Sequence, residues 1–399
     1  MKRFTCLVMC VFLSVPSWSA ARKITVAELK DLLKTMQAQK KNDTDVSTAL
    51  KQVQLSEELT RSTMNSLVEF VPGQLSTEQI YVLEARSAAL APPAGDIPTT
   101  AAPDAAGQKA IVDKATDYAA KTFEHLPAFT ATKTTVRFQD NVEGHAASSG
   151  MNGGASDVTV GSSFVSPAQF IRYIGSTESH IESAGGAEKP PVKDKTPWGA
   201  NGQVTLLGQG PVLSTIMREA QESGGFTWLR WETVNGKPAA VFSFAVAKKK
   251  SHYAVDYCCF PDVDASGKAT FTSAAVGGLT GGGGGASGNF QTNTNWHDYK
   301  ASGLPYHGEL FADPDTGIVV RLITFAEFKN SDVVHQEDQR IDYAPVTVGD
   351  KQPVLPARTM INTEIVPNGD SGSAGKYTTR RTLLISEYKD FHLAGQTQK

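Results

Sequence analysis

Cys258 and Cys259 stand side by side, and they are the two cysteines that remain once Cys6 and Cys10 of the N-terminal leader are set aside. Neighbours on a regular strand point to opposite faces, so these two close on each other only as a strained vicinal disulfide. They form a candidate disulfide or redox pair. The plainer reading is two small apolar side chains, one on each face of a strand. No Cys-x-x-Cys redox motif occurs in the chain.

Four other groupings carry residue types capable of chemistry. Gly369-Asp370-Ser371-Gly372 matches the start of the chymotrypsin-type nucleophile motif. A serine nucleophile needs a histidine base and an oxyanion hole. The Ala-Ala-His-Cys context is missing, and Ser373 replaces the second motif glycine. Asp315-Thr316-Gly317 matches the aspartic-protease triplet, but that chemistry needs two carboxylates sharing a proton, and this is the single copy. A turn explains the triplet better. The pentaglycine Gly281–Gly285 lacks the Lys and Ser/Thr of a phosphate-binding loop. His297, Asp298 and His307 fit no standard metal-ligand spacing. No catalytic residue, metal ligand or cofactor is therefore assigned, and no ligand-binding residue is singled out. Lys248-Lys249-Lys250 lies between two strand-like runs and reads as a solvated turn.

The aromatic residues are more informative. Phe226, Trp228 and Trp231 crowd one strand, with Phe242 and Phe244 on its hairpin partner. Strict alternation places Phe226 and Trp228 on one face and Leu229 and Trp231 on the other. Both faces of this strand are then expected to be covered.

The elements that position these residues follow from the ends inward. Residues 1–20 read as a cleavable signal peptide: Lys2 and Arg3, an apolar run from Phe4 to Val15, then Pro16 and the small residues Ser17, Ser19, Ala20 and Ala21. The apolar run is too short to span a bilayer, and no later stretch is long enough, so no transmembrane segment is expected in the mature chain. Export places the chain in the periplasm or outside the cell. The full chain has 399 residues and a formal charge of −3, which becomes about −5 when Lys2 and Arg3 leave. That balance argues against a nucleic-acid partner.

Residues 21–91 read as a helical segment. Thr25 with Glu28 makes a capping box ahead of Val26, Leu29, Leu32, Leu33 and Met36. Further helices start near Asp43 or Thr44, after Ser56, and at Ser76, where Gln79 would complete a second box. Residues 92–107 are a Pro/Ala/Thr-rich linker. Asp104 opens a helix to about His125. From Phe129 the period becomes two, with strand-like runs at 129–138, 169–183, 226–234, 238–247, 252–260, 306–312, 317–328, 334–343, 353–366 and 377–391. Asn235-Gly236 and Asp313–Gly317 are hairpin turns, and successive hairpins imply an antiparallel sheet. A helix spans about 211–223. Gly277–Gly288 reads as a flexible loop inside a 104–399 β domain.

This order resembles the half-barrel fold of the LolA/LolB lipoprotein carriers and the RseB/MucB-type regulators. The likeness rests on a helix (104–125) leading into FTATKTTVRF, a later helix (211–223) leading to paired strands, and the hairpin GELFADPDTGIVVRL. Its turn carries Asp313, Pro314, Thr316 and Gly317, and its returning strand ends in Arg321 and Leu322. It covers residues 104–391. The carriers lack the N-terminal helices and the glycine run, and no functional residue carries over. The stretches LSEELTRSTMNSL, APPAGDIPTTAAPD and DYAPVTVGDKQPVLPAR are similar to a set of exported soil-bacterial proteins, a likeness that brings no activity with it.

The expected fold is thus α+β: a large curved antiparallel sheet, of the half-barrel LolA-like type, with packed helices and a small N-terminal helical segment. The expected function is an exported non-enzymatic binding protein holding an acyl chain, lipid or lipidated polypeptide in an apolar cavity. Its partners would be a hydrophobic ligand or an envelope protein. The alternatives are an envelope protein-interaction or stress-sensing module, and a hydrolase of unknown type.

Overall fold

The computed structural model of the chain describes residues 22–139, 171–184, 187–189, 205–208, 212–261, 271–273, 292–294, 296–329, 332, 334–348, 352–365 and 380–394. The expected signal peptide, the glycine run and the Gly369–Gly372 stretch lie outside them.

The N-terminal segment comprises β1 (Arg22–Ile24), α1 (Val26–Ala38), α2 (Asp43–Lys51), β2 (Val53–Leu55), α3 (Arg61–Val68) and α4 (Gln74–Ser87). The capping box forms: Thr25 Oγ1 accepts from Glu28 N, and Glu28 Oε2 accepts from Thr25 N at 2.8 Å. Val26, Leu29, Leu33 and Met36 are buried one turn apart. The second expected box does not form, because α4 starts two residues before Ser76. Its first turn is capped from a distance by Asp43, whose carboxylate accepts from Leu75 N and Ser76 N at 2.9 Å. Gln79 instead donates to the Ile171 carbonyl.

The rest of the chain runs α5 (Ala105–Tyr118), a π-turn (Ala119–Phe123), β3 (Phe129–Gln139), β4 (Arg172–Ala184), β5 (Ala187–Glu188), β6 (Thr205–Gly208) and α6 (Leu213–Glu222). Then come β7 (Thr227–Val234), β8 (Lys237–Val246), β9 (Ala254–Pro261), β10 (Phe271–Ser273), β11 (Thr292–Thr294) and β12 (Trp296–Ser302). The chain closes with β13 (Tyr306–Ala312), β14 (Val319–Glu327), β15 (Val334–Pro345), β16 (Val354–Ile365) and β17 (Arg380–Leu393). The fold is α+β. Ten strands form one sheet in the order β5-β4-β3-β17-β16-β15-β14-β13-β8-β7, with every pairing antiparallel, and its two edges do not join. A smaller sheet, β12-β9-β6, is separate from it, as are the short pairs β1-β2 and β10-β11.

Both expected hairpin turns are present. Asn235 and Gly236 adopt φ of 52° and 77°, the left-handed pair that a two-residue hairpin requires. At the second turn Asp313 Oδ1 accepts from Asp315 N, Thr316 N and Thr316 Oγ1. Gly317 has φ +73°, and a Cβ there would lie 2.4 Å from the Lys114 backbone. The Asp315-Thr316-Gly317 triplet is thus a turn on which α5 rests, with Lys114 Nζ donating to the Pro314 and Asp315 carbonyls.

Each face of the large sheet is covered by different elements. On the front face Phe242, Phe244, Leu310, Leu322 and Val319 join α5, the π-turn and α6 in the main core. On the back face Phe138, Met360, Leu383 and Ile385 meet Val82, Ala85 and Ala88 at the end of α4. The connection between α4 and α5 passes the β7 edge, where Trp231 Nε1 donates to the Ala101 carbonyl at 2.9 Å.

That back-face contact is dense in charge. Arg358 grips Glu84 through two nitrogens at 2.6 and 2.8 Å. Arg340 binds Glu58 at 2.5 Å and the Ala88 carbonyl at 3.1 Å. Asp342 sits between Arg340 and Arg321, and Arg321 reaches Glu232. These side chains are buried or nearly so, and each charge has an opposite partner, as buried charges require.

Candidate functional site

The front face changes character along the sheet. Toward β7 and β8 it is aromatic and aliphatic. Toward β15, β16 and β17 the cross-strand rows turn polar: Glu337 pairs with Thr363, and Thr363 with Thr382. The next row, Gln339–Ile361–Leu384, is mixed, and in the row beyond it Thr359 pairs with Ser386 and Ser386 with Thr135, the last two hydroxyls lying 2.9 Å apart.

The aromatic end departs from strict alternation. Trp228 pairs with Phe242 and Arg230 with Val241, so Leu229 is an extra residue in β7. A bulge of this kind shifts the following side chains to the other face. Trp228 and Trp231 consequently lie on the same face, 5.0 Å apart and edge-on, instead of on opposite faces as the sequence suggested. Trp228 also meets Phe242 at 5.4 Å, and Phe226 meets Phe244 at 5.7 Å. Phe226, Trp228 and Trp231 are only half-buried, while Leu229 is left 41% exposed. Gly308 makes this packing feasible: a Cβ there would sit 2.1 Å from the Ile323 carbonyl oxygen and 2.8 Å from the Phe244 ring.

Above the front face lies the three-stranded sheet. Alternation on β9 turns Val255 and Tyr257 inward, with Tyr253 just ahead of the strand, and leaves Ala254 outward. On the outer side Lys300 Nζ meets Asp256 at 2.7 Å. Tyr253 OH donates to Glu337 Oε1 at 2.8 Å, and Tyr257 OH donates to Glu337 Oε2. Tyr257 also shares a hydrogen bond with Thr363 at 2.9 Å. Glu337 is 1% exposed. Burial pushes its carboxyl up to about 7, against the two tyrosine hydrogen bonds that favour the charged form. Burial raises both tyrosines well above their ordinary value, and the adjoining Glu337 adds to it.

A second acid–tyrosine contact adjoins the first. Tyr306, whose ring lies 5.1 Å from that of Tyr253, donates to Glu219 Oε2 at 2.8 Å. The other oxygen of Glu219 takes the His252 backbone N–H and faces His252 Nδ1 at 2.7 Å. Glu219 is buried on α6, whereas the His252 side chain is 78% exposed. Chemically, Glu337 accepts hydrogen bonds from Tyr253 and Tyr257 above it, and Glu219 accepts them from Tyr306 of the large sheet beneath it and from the His252 N–H. They join the small sheet and α6 to the large sheet.

The residues singled out in the sequence are dispersed. Cys258 and Cys259 belong to β9, where Cys258 pairs with Thr205 of β6, and their side chains lie outside the described residues. His297 and Asp298 are on β12, with side chains also outside the described residues. His307 stacks on Phe325 at 5.0 Å and contacts Glu327 at 3.2 Å. Among the described residues no group of three or more His, Cys, Asp or Glu is placed to hold a metal ion, and no helix is long and apolar enough to cross a membrane. Sequence reading missed Glu337 and Glu219. Glu219 carried a signal, as an acid on the apolar side of an amphipathic helix, whereas Glu337 reads as an ordinary polar strand residue. No family model, curated protein or solved structure matches the chain.

Proposed function

We propose that the chain is an exported, non-enzymatic binding protein that takes an acyl chain, a lipid or a lipidated polypeptide on the front face of its large sheet. The observation that carries this reading is the half-buried aromatic edge of Phe226, Trp228 and Trp231, continuous with the apolar layer beneath α6. Large aromatic side chains left partly in water beside the β7 edge retain apolar surface that a ligand would bury. Each CH₂ so buried contributes roughly 0.8 kcal/mol, so a medium-length chain binds usefully. On the same reading the open sheet is a half-barrel of the lipoprotein-carrier type, and the 1–20 leader directs export. The test is saturable binding of an apolar fluorophore, competed by fatty acids and weakened at least tenfold by Trp228→Ala. Absence of saturable binding would remove the proposal.

A protein-interaction module is the second reading. Leu75 and Tyr81 favour it, since they stand 48% and 37% exposed on α4.

A further inference from the structure

The small sheet leaves the large one and returns to it at one place. Val246 ends β8, Tyr306 begins β13, and the two are register partners. The outgoing connection (247–253) and the incoming one (303–305) run side by side: Leu304 N donates to the Tyr253 carbonyl at 3.1 Å, and Ser251 Oγ donates to the Leu304 carbonyl at 2.5 Å. Gly303 turns the incoming chain with φ +63°. β9 and β12 therefore hang from two adjacent strand ends, while β6, paired to β9, precedes α6. From this hinge the small sheet reaches over β13 and β14, and its tyrosines meet Glu337 on β15 and Thr363 on β16.

We propose that the Tyr253–Glu337–Tyr257 contact is a proton-controlled latch, which seats the small sheet on the front face while Glu337 is protonated and loosens it when Glu337 ionises. Its purpose rests on the binding reading above, since it would govern access to that face; its test does not.

The surroundings of Glu337 fit this role. It faces the neutral hydroxyls of Tyr253, at the end of the outgoing connection, and of Tyr257 on β9, with Thr363 on β16 and Ala326 on β14 beside it. Beyond Tyr253 stand Tyr306 on β13 and the carboxylate of Glu219 on α6, with His252 at the rim. Asp338, next to it in β15, adds negative charge from the back face, where burial raises its own carboxyl to about 6. These groups offer an ionised Glu337 hydrogen bonds and no compensating positive charge. Protonated Glu337 buries no charge and still exchanges hydrogen bonds with the same hydroxyls.

The sign follows from linkage. Glu337 holds its proton up to about pH 7 under the small sheet, and returns to its ordinary 4.5 when water reaches it. The closed form is fully favoured below pH 4.5. The opening constant then rises about tenfold per pH unit up to about pH 7 and levels off, roughly 300-fold in all.

Hydrogen exchange of the full chain, without ligand, from pH 5 to 8 tests the latch. After correction for the intrinsic exchange rate, protection of β9 and β12 amides should fall across this range relative to β14–β16. Glu337→Gln should abolish the pH dependence. Tyr257→Phe removes a hydrogen bond that favours the ionised form, so it should lower protection at pH 5 and move the midpoint upward. A flat wild-type profile, or an unchanged slope in Glu337→Gln, overturns the latch. If Glu337→Gln does not fold, an unmoved midpoint in Tyr257→Phe overturns it. A sloping profile without fluorophore binding would sink the binding reading and leave the latch, and the converse pair of results would do the reverse.

Discussion

Glu58 and Arg340 are 282 positions apart in sequence and meet at 2.5 Å, both side chains buried. Glu58 belongs to the connection before α3, and Arg340 to the centre of the large sheet. The pair ties the N-terminal helices to the sheet's back face. Breaking a buried pair by removing one partner costs about 3–5 kcal/mol, whereas replacing both partners by apolar side chains is often neutral. Glu58→Ala should therefore destabilise the chain by about 3 kcal/mol, the lower end, because Asp342 still accompanies Arg340. Glu58→Met with Arg340→Met should recover most of it. Urea denaturation of the three proteins checks this; equal stability of wild type and Glu58→Ala would contradict it.

Gly308→Ala tests the packing beneath the aromatic edge. The added methyl meets a backbone oxygen that cannot move without breaking the β13–β14 register. Overpacking of this kind costs about 1–3 kcal/mol. A Tm within a degree of wild type would show that the ring of Phe244 and its neighbours shift freely.

Stability should peak on the acid side of neutrality. Burial raises Glu337 to about 7 and Asp338 to about 6, so both favour the folded state at low pH and lose that contribution as pH rises through those values. Asp342 acts in the opposite sense. Burial alone would raise it, but Arg340 and Arg321 hold it below its ordinary value, so its contribution is lost as pH falls through that lowered value. Asp43, also buried in part but lowered by the Ser76 hydroxyl and the Ser76 and Leu75 N–H groups, behaves likewise. Tm should rise from pH 8 to about pH 5 and fall below about pH 4. A Tm that climbs steadily from pH 4 to 8 would be incompatible with these assignments.

The proposed signal peptide makes a separate prediction. Protein recovered from the envelope or medium should begin between Ala20 and Arg22 by N-terminal sequencing. Exported protein that retains Met1 would rule out cleavage.

Much of the architecture was legible because it is local. Period-two runs located β3, β7, β8, β13, β14, β15 and β16 to within a residue or two, and Asn235-Gly236 fixed one hairpin. Thr25 and Glu28 located the start of α1. What escaped was set by partners distant in sequence. Asp43 caps α4 from another helix, so Ser76 and Gln79 misplaced that start. The Leu229 bulge depends on how β8 pairs with β7, and no pattern within β7 reveals it. Glu337 reads as a polar strand residue until β9 is folded over it, and the short strands β6 and β12 carry too little pattern to announce the sheet that does so. The arginines of the back face look like solvated strand positions until Glu58 and Glu84 arrive.

The central claim is that the front face holds an apolar ligand, and native mass spectrometry of protein purified from its own compartment tests it most directly. The expected mass exceeds that of the polypeptide by one acyl or lipid unit, released by organic solvent and rebound with one-to-one stoichiometry when fatty acid is added. A bare polypeptide mass that stays bare in excess fatty acid would contradict it.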